Sequence, residues 1–141
     1  MRLVIDANII VAALIRDSKA RQVIISKKLE LVSPNFILQE VYKYEDYICS
    51  KSGLLKEEFE LLITLVFEHV TTVPEQSYKS KIGDAKKVIE DVKDVPYVAC
   101  YLALKCDAIW TSDRDFEGKK GIKTITTAEL LKLCNKVGES S

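Results

Sequence analysis

Short apolar runs that alternate with longer stretches of helical periodicity restrict this chain to very few architectures. The runs are Leu3 to Ile5, "LELVS" at 29–33, "VTTV" ahead of Pro74, "DAIWTS" at 107–112 and "IKTIT" at 122–126. Between them, Asn8 to Ile15 and Ser18 to Lys28 read as helical, the second with Ser18 as its cap. A helix from Pro34, in the first turn after Ser33, to about Ser50 carries Ile37, Val41, Tyr44 and Ile48 on one stripe. Further helices are expected over 55–69 and, more polar in character, over roughly 78–91. Residues 95–106, "VPYVACYLALKC", are apolar nearly all round and should be deeply packed, and Thr126 with Glu129 makes a capping box for the last helix. Strands joined through helices imply right-handed crossovers that cover both faces of a sheet. The predicted fold is α/β: a three-layer α/β/α sandwich around a mainly parallel sheet of about five short strands. With 141 residues, five glycines, three prolines and no repeat or linker, residues 1–141 are expected to form a single domain.

The charge balance narrows the function classes. Lys+Arg and Asp+Glu both number 21, so the chain lacks the basic excess of a protein that coats itself in nucleic acid. A local basic patch or a bound metal can still serve a nucleic-acid ligand. The cysteines at 49, 100, 106 and 134 form no CxxC pair, and with one histidine in the chain a Cys/His zinc site is disfavoured. They read as reduced thiols of a cytoplasmic protein. Asp6 and Asn8 interrupt the N-terminal apolar run, which therefore does not read as a signal peptide, and no segment approaches the ~20 apolar residues of a membrane span.

The acids give the fold a candidate site. In open parallel sheets ligands bind beyond the carboxyl ends of the strands. Asp6 follows the first strand, Asp113 and Asp115 follow the fourth in "IWTSDRDF", Asp94 leads the apolar helix and Glu40 lies in the helix after the second strand. Each has an ordinary alternative: Asp6 and Asp94 as helix caps, Asp113 and Asp115 as turn residues, Glu40 as a solvated helix position. Their joint convergence on one edge favours a site. Clustered carboxylates repel, and a divalent cation removes that conflict. Oxygen-only ligands select Mg²⁺ or Mn²⁺, a chemistry suited to phosphodiester hydrolysis.

Taken in order, these segments resemble the PIN-domain family of metal-dependent nucleases. "VIDANIIVAAL" is similar to that family's first motif, "LQEVYKY" to its second with Glu40 in the acidic position, and "DVPYVACYLALKCDAIWTSDRDF" to its third block. The resemblance runs from about Leu3 to Leu131. It implies that Asp6, Glu40, Asp94 and Asp113 are catalytic and hold Mg²⁺ or Mn²⁺, with Asp115 a nearby fifth acid. It also implies that Asn8 positions Asp6 and that Thr111 or Ser112 orients the site or a phosphate. The family typically carries Ser or Thr after the first Asp, where this chain has Ala7. Small members of the family resemble the toxin half of VapBC-type toxin–antitoxin pairs. Membership of that group would imply a dimeric endoribonuclease of mostly single-stranded RNA, leaving 3′-hydroxyl and 5′-phosphate ends, and a small antitoxin partner that covers the cleft with an Arg or Lys. An RNA-processing nuclease outside a toxin system and a non-catalytic binding module are the alternatives.

Arg114, Lys119 and Lys120, and beyond them Lys123 and Lys43, are the cations available to RNA phosphates, though surface lysines are common everywhere. Tyr42, Tyr44 and Tyr47 offer a candidate homodimer face. His69 ends a helix and is expected to have no catalytic role, while Trp110 and Phe116 are expected in the core. A haloacid-dehalogenase-like phosphatase would need a second Asp where Asn8 stands, and would leave Glu40 without a role. Nucleotide-binding glycine motifs (GxGxxG, GxxxxGK[ST]) are absent.

Overall fold

The strands β1 (Arg2–Ile5), β2 (Glu30–Pro34), β3 (Val70–Val73), β4 (Ala108–Trp110) and β5 (Thr124–Ile125) pair in the order β3-β2-β1-β4-β5, all parallel. The structure is a computed structural model that describes residues 1–16 and 18–140, with the side chains of Ser18 and of 136–140 outside the description. The expected cap at Ser18 thus lies outside the described residues. From β1 to β3 the chain steps in one direction along the sheet, and from β3 through β4 to β5 it steps in the other. With right-handed crossovers, the connecting helices of the two halves fall on opposite faces. The first half supplies α1 (Ala7–Ile15), α2 (Ser18–Ile24), α3 (Ile37–Tyr42), α4 (Glu45–Ser52) and α5 (Lys56–Phe67), which pack around α1. The second supplies α6 (Glu75–Tyr78), α7 (Ile82–Val88) and α8 (Val95–Ala103), the last lying across β1, β2 and β4. The final helix α9 (Thr127–Ser140) packs on α2. The direction reverses between β1 and β4, and the carboxyl end of that pair is the crevice where open α/β sheets bind ligands.

Apolar content dictates this arrangement. Leu3, Val4, Ile5, Ile109 and Trp110 are fully buried in the two central strands, as expected of strands covered on both faces. Val95, Tyr97, Val98, Ala99 and Cys100 are buried on α8, matching its apolar pattern. Trp110 and Phe116 are core residues, the Trp110 indole N–H donating to Thr127 Oγ1 at 3.0 Å. The capping box of α9 forms: the Glu129 N–H donates to Thr126 Oγ1 at 3.2 Å and the Thr126 N–H to Glu129 Oε1 at 3.2 Å. The four cysteines are free thiols, and burial pushes Cys100 up to about 12 and Cys106 to about 11. Among the described residues no helix is long and apolar enough to cross a membrane.

Several boundaries differ from the sequence pattern. Pro34 does not open a helix; it ends β2 opposite Val73, and α3 starts three residues later behind Phe36. The residue before proline is biased to extended backbone, which prolongs the strand through Ser33. The long helix to Ser50 is interrupted at Lys43–Tyr44, so α4 starts afresh and Tyr44 is 45% exposed while Ile37, Val41 and Ile48 are buried. Helix α2 stops at Ile24, short of Lys28, and Lys27 adopts a left-handed φ of 62°. The polar helix divides into α6, a 3₁₀ turn at Lys79–Lys81 and α7, where buried Tyr78 donates to Asn35 Oδ1 at 3.0 Å. Helix α7 therefore ends at Val88 and releases Asp91 into a turn ahead of α8.

Candidate active site

Asp6 is the first residue beyond β1, and its N–H donates to the Trp110 carbonyl at 3.1 Å, tying the ends of β1 and β4 together. Its carbonyl accepts from the Ile9 N–H at 3.0 Å, so the same residue caps α1. Thr111, the first residue beyond β4, donates its hydroxyl to Asp6 Oδ2 at 2.8 Å and accepts the Asp113 N–H at 2.9 Å. Asp113 in turn accepts the Asp115 N–H on Oδ1 at 2.9 Å, capping the 3₁₀ turn Arg114–Phe116. A continuous hydrogen-bonded chain thus fixes Asp6, Thr111 and Asp113 across the switch point. Asn8 contributes through its backbone N–H, 3.5 Å from Asp6 Oδ1, rather than through its exposed amide.

One cavity of about 450 Å³ collects Asp6, Asn8, Glu40, Asp94 and Asp113. Its wall also includes Asp91 and the side chains of Phe36, Tyr44 and Tyr97. Asp91, Asp94 and Asp115 each bring a carboxylate oxygen within 4.8 Å of the other two, a group that can hold a metal ion. A second cavity of about 510 Å³ shares Asp91 and is lined by Asp115, Arg114 and Lys119. Glu40 accepts a 2.8 Å ion-pair contact from Lys43, one turn along its helix. Ser112 and Lys120 are exposed and line neither cavity, and Lys123 is likewise exposed. His69 precedes β3 and so stands at the amino edge of the sheet, away from the acids.

The electrostatics carry the marks of an incomplete charge balance. Asp94 is pushed up to about 7, first by burial and then by the charges of Asp91, Asp113, Asp6 and Asp115. Its Oδ2 is buried without a hydrogen-bond partner, although such an oxygen ordinarily finds one. It heads α8 but makes no capping hydrogen bond, so the capping alternative fails for it. Asp6 is raised by burial and by Asp113, against the opposing hydrogen bonds from Thr111 and Asn8. Tyr97 is raised by burial and by Asp6, Glu40 and Asp94. An orphaned carboxylate oxygen amid all-oxygen donors fits a hard divalent cation, which would supply the missing partner and offset the repulsion.

Three contributors escape the sequence pattern. Asp91 is hidden at the end of an expected helix; its spacing from Asp94, three residues apart in "EDVKDVP", is the signal that could have shown it. Ser33, fully buried, donates to the Ile5 carbonyl at 3.0 Å, one residue before Asp6. Tyr97 carries no signal in the sequence beyond its place in an apolar helix. Among the described residues, Asp6, Ser33 and Thr111 are the buried polar and charged ones, and all three meet at this edge.

A five-stranded parallel sheet with an acid-lined crevice at its topological switch point places the protein among the open α/β folds that bind ligands beyond the carboxyl ends of their strands. Within that class the assignment is direct: a family model of the PIN domain matches residues 4–134, so the chain belongs to the PIN-domain family and carries a nuclease fold. No curated protein matches the chain.

Proposed function

We propose that this protein is a divalent-metal-dependent endoribonuclease acting on single-stranded RNA. The observation that carries the reading is the partnerless, buried Oδ2 of Asp94 in a cavity shared with Asp6, Glu40, Asp91 and Asp113. Asp6, Glu40, Asp94 and Asp113 would hold Mg²⁺ or Mn²⁺, with Asp115 and the additional Asp91 beside them. A cation held there would supply Lewis acidity to the phosphodiester and to the attacking water. The chain's own residues do the rest. The Thr111 hydroxyl orients Asp6 and favours its ionised form against the effect of burial, and its link to the Asp113 N–H keeps the two carboxylates in register. Arg114 and Lys119, on the adjoining cavity, suit the flanking phosphates, and Lys120, exposed beside Lys119 in the chain, is a further cation for them. Hydrolysis adds water across the P–O3′ bond: the water oxygen bonds to phosphorus and a cavity carboxylate takes its proton. The 3′ oxygen takes up that proton and departs as a hydroxyl, and the phosphate stays on the 5′ end of the downstream piece.

The finer reading is the toxin of a VapBC-type pair, held inactive by a small antitoxin whose Arg or Lys would satisfy the acids. The four free thiols suit a reducing cytoplasm. Self-association has support in Leu38 and Tyr42 on α3 and Leu61 and Leu65 on α5, all exposed, with Tyr42 bonded to Glu60 and edge-on to Phe59. Calorimetric titration of Mn²⁺ into the protein and its Asp6→Asn variant tests the metal site, and equal affinity in both would remove it. Mg²⁺-dependent cleavage of unstructured RNA that disappears in Asp113→Asn is the expected activity; cleavage that persists there rejects the assignment. A short reading frame next to this one, encoding a protein that co-purifies and blocks cleavage, is expected of a toxin.

A further inference from the structure

The acids account for only part of the 450 Å³ cavity. A cation with five or six waters takes up under about 200 Å³ at ~30 Å³ per water. The same cavity is lined by Phe36, Tyr44, Val92, Pro96 and Tyr97, so what adjoins the acids is an apolar, largely aromatic wall. Phe36 and Tyr97 pack edge to face with ring centroids 5.9 Å apart and an interplanar angle of 90°. Tyr97 is 5% exposed, which makes this pair a rigid base rather than an adaptable surface. Tyr44 is different. It falls at the interruption between α3 and α4, is 45% exposed, and stands four residues from Glu40 on the same connection. Burying it on the stripe with Val41 and Ile48 would have satisfied its ring; the interruption instead delivers it to the cavity.

We propose that Tyr44, on the same cavity wall as the Phe36–Tyr97 pair, is a stacking subsite for one unpaired nucleobase beside the cleaved phosphodiester. Three features select a base as occupant. The wall is continuous with the acids at which a phosphodiester would react, so a chain with its phosphate there must place an adjoining nucleoside against the cavity. Aromatic side chains offer sequence-tolerant stacking to every base. A base in a duplex has both faces covered, so the subsite demands an unpaired nucleotide next to the cut. This inference rests on the nuclease reading for its substrate class, and it adds what positions that substrate.

The test is a binding measurement in the Mg²⁺-loaded Asp113→Asn protein, with short unstructured RNA carrying one abasic position that is walked along the strand. Tyr44→Ala is expected to weaken binding of intact RNA by about 5- to 150-fold, the range of a lost base stack. Tyr44→Phe should bind within about twofold of the parent. At one position only, base removal should weaken the Tyr44-containing protein and have little further effect in Tyr44→Ala, because both changes delete the same contact. Independent, additive losses at every position would overturn the subsite, as would equal binding of duplex and single strand. Thermal melting of Tyr44→Ala guards against misfolding, which a change at so exposed a residue should not cause. If that coupling is found while Mg²⁺-dependent cleavage by the unsubstituted protein is absent, the nuclease reading fails and the subsite stands. Cleavage without any coupling removes the subsite and leaves the nuclease reading in place.

Discussion

Replacing Thr111 by valine keeps the shape of a buried residue and deletes the one hydroxyl that links the two strands' carboxylates. Thr111 is 4% exposed, donates to Asp6 Oδ2 at 2.8 Å and accepts the Asp113 N–H at 2.9 Å. Two polar groups lose a partner at once. A hydrogen bond to a charged group is worth about 1.5–3 kcal/mol, and an unsatisfied buried N–H costs about 1–3 kcal/mol. The two do not add fully, because Asp113 is only half-buried and water can reach its N–H. A net loss of about 2–3 kcal/mol follows for the metal-free protein at pH 7.5, or a Tm lower by roughly 6–15 °C for a chain of this size. Thr111→Ser retains the hydroxyl and should lose about 1 kcal/mol, the worth of one buried methyl group. The sign with pH is also fixed. The hydroxyl stabilises the ionised form of Asp6, whose pKa burial has raised. Its contribution is therefore present above that pKa and shrinks as pH falls through it, so the stability gap between the parent and the Thr111→Val protein should narrow as the solution is made acidic. Circular-dichroism melts in EDTA read the stability, and Mn²⁺ calorimetry should show weaker binding in Thr111→Val than in Thr111→Ser. A Thr111→Val protein that melts within about 2 °C of the parent and binds Mn²⁺ equally would refute the linkage.

Asp94 should make the metal-free protein behave against the usual acid trend. Its carboxyl is raised from 3.8 to about 7, so the folded state holds more protons than the unfolded chain between those values. Stability is then greatest near pH 4 as far as this group is concerned and is lost as pH rises toward 7. Melts in EDTA should show a higher Tm at pH 5.5 than at 7.5, Asp94→Asn should shrink the difference to what the other raised acid, Asp6, contributes, and Mn²⁺ affinity should fall as pH drops below 7. Asp91→Asn removes the largest charge acting on Asp94 and should lower its pKa, which carboxyl chemical shifts followed by NMR titration would reveal. Lys43→Ala breaks an exposed ion pair worth about 0–1 kcal/mol, so the Tm should barely move. The same change frees Glu40 for a cation and should tighten Mn²⁺ binding up to about fivefold, read by calorimetry.

What the sequence reveals about this fold follows from which features are set by local chemistry. Apolar runs of strand length separated by helical periodicity determine the parallel sheet, and the acids that follow β1 and β4 are placed by topology alone, since a residue just beyond a parallel strand must emerge at the carboxyl edge. Asp91 and Tyr44 are hidden for a shared reason: both lie where a helix stops, and periodicity carries no information about stopping. Ile89, 3% exposed with extended backbone at the end of α7, is what turns Asp91 out of a helix and into the crevice. At Tyr44 the spacing from Val41 to Ile48 is helical only if the helix is unbroken, and the interruption at Lys43 changes the phase. Pro34 misleads because a proline suits both the first turn of a helix and the end of a strand with an unpaired donor.

The location of the buried polar groups explains why the domain tolerates so unfavourable an edge. A core selected for stability alone would be apolar throughout, because an apolar replacement for a half-satisfied polar network is usually neutral or better. Here the polar exceptions sit together: Thr111 bonds to Asp6 itself, and Ser33 bonds to the carbonyl of the preceding residue. Ser33 thereby steadies the last peptide of β1 from β2, while the Asp6 N–H is held by Trp110 from β4. Three adjacent central strands converge on the position of one carboxylate. That investment has no structural return if Asp6 is merely a helix cap, since an N-cap role needs only the short contact to the following turn. It has one if Asp6 must stay ionised and fixed beside Asp94 and Asp113 when the repulsion among them is at its greatest, which is the state a divalent cation would find.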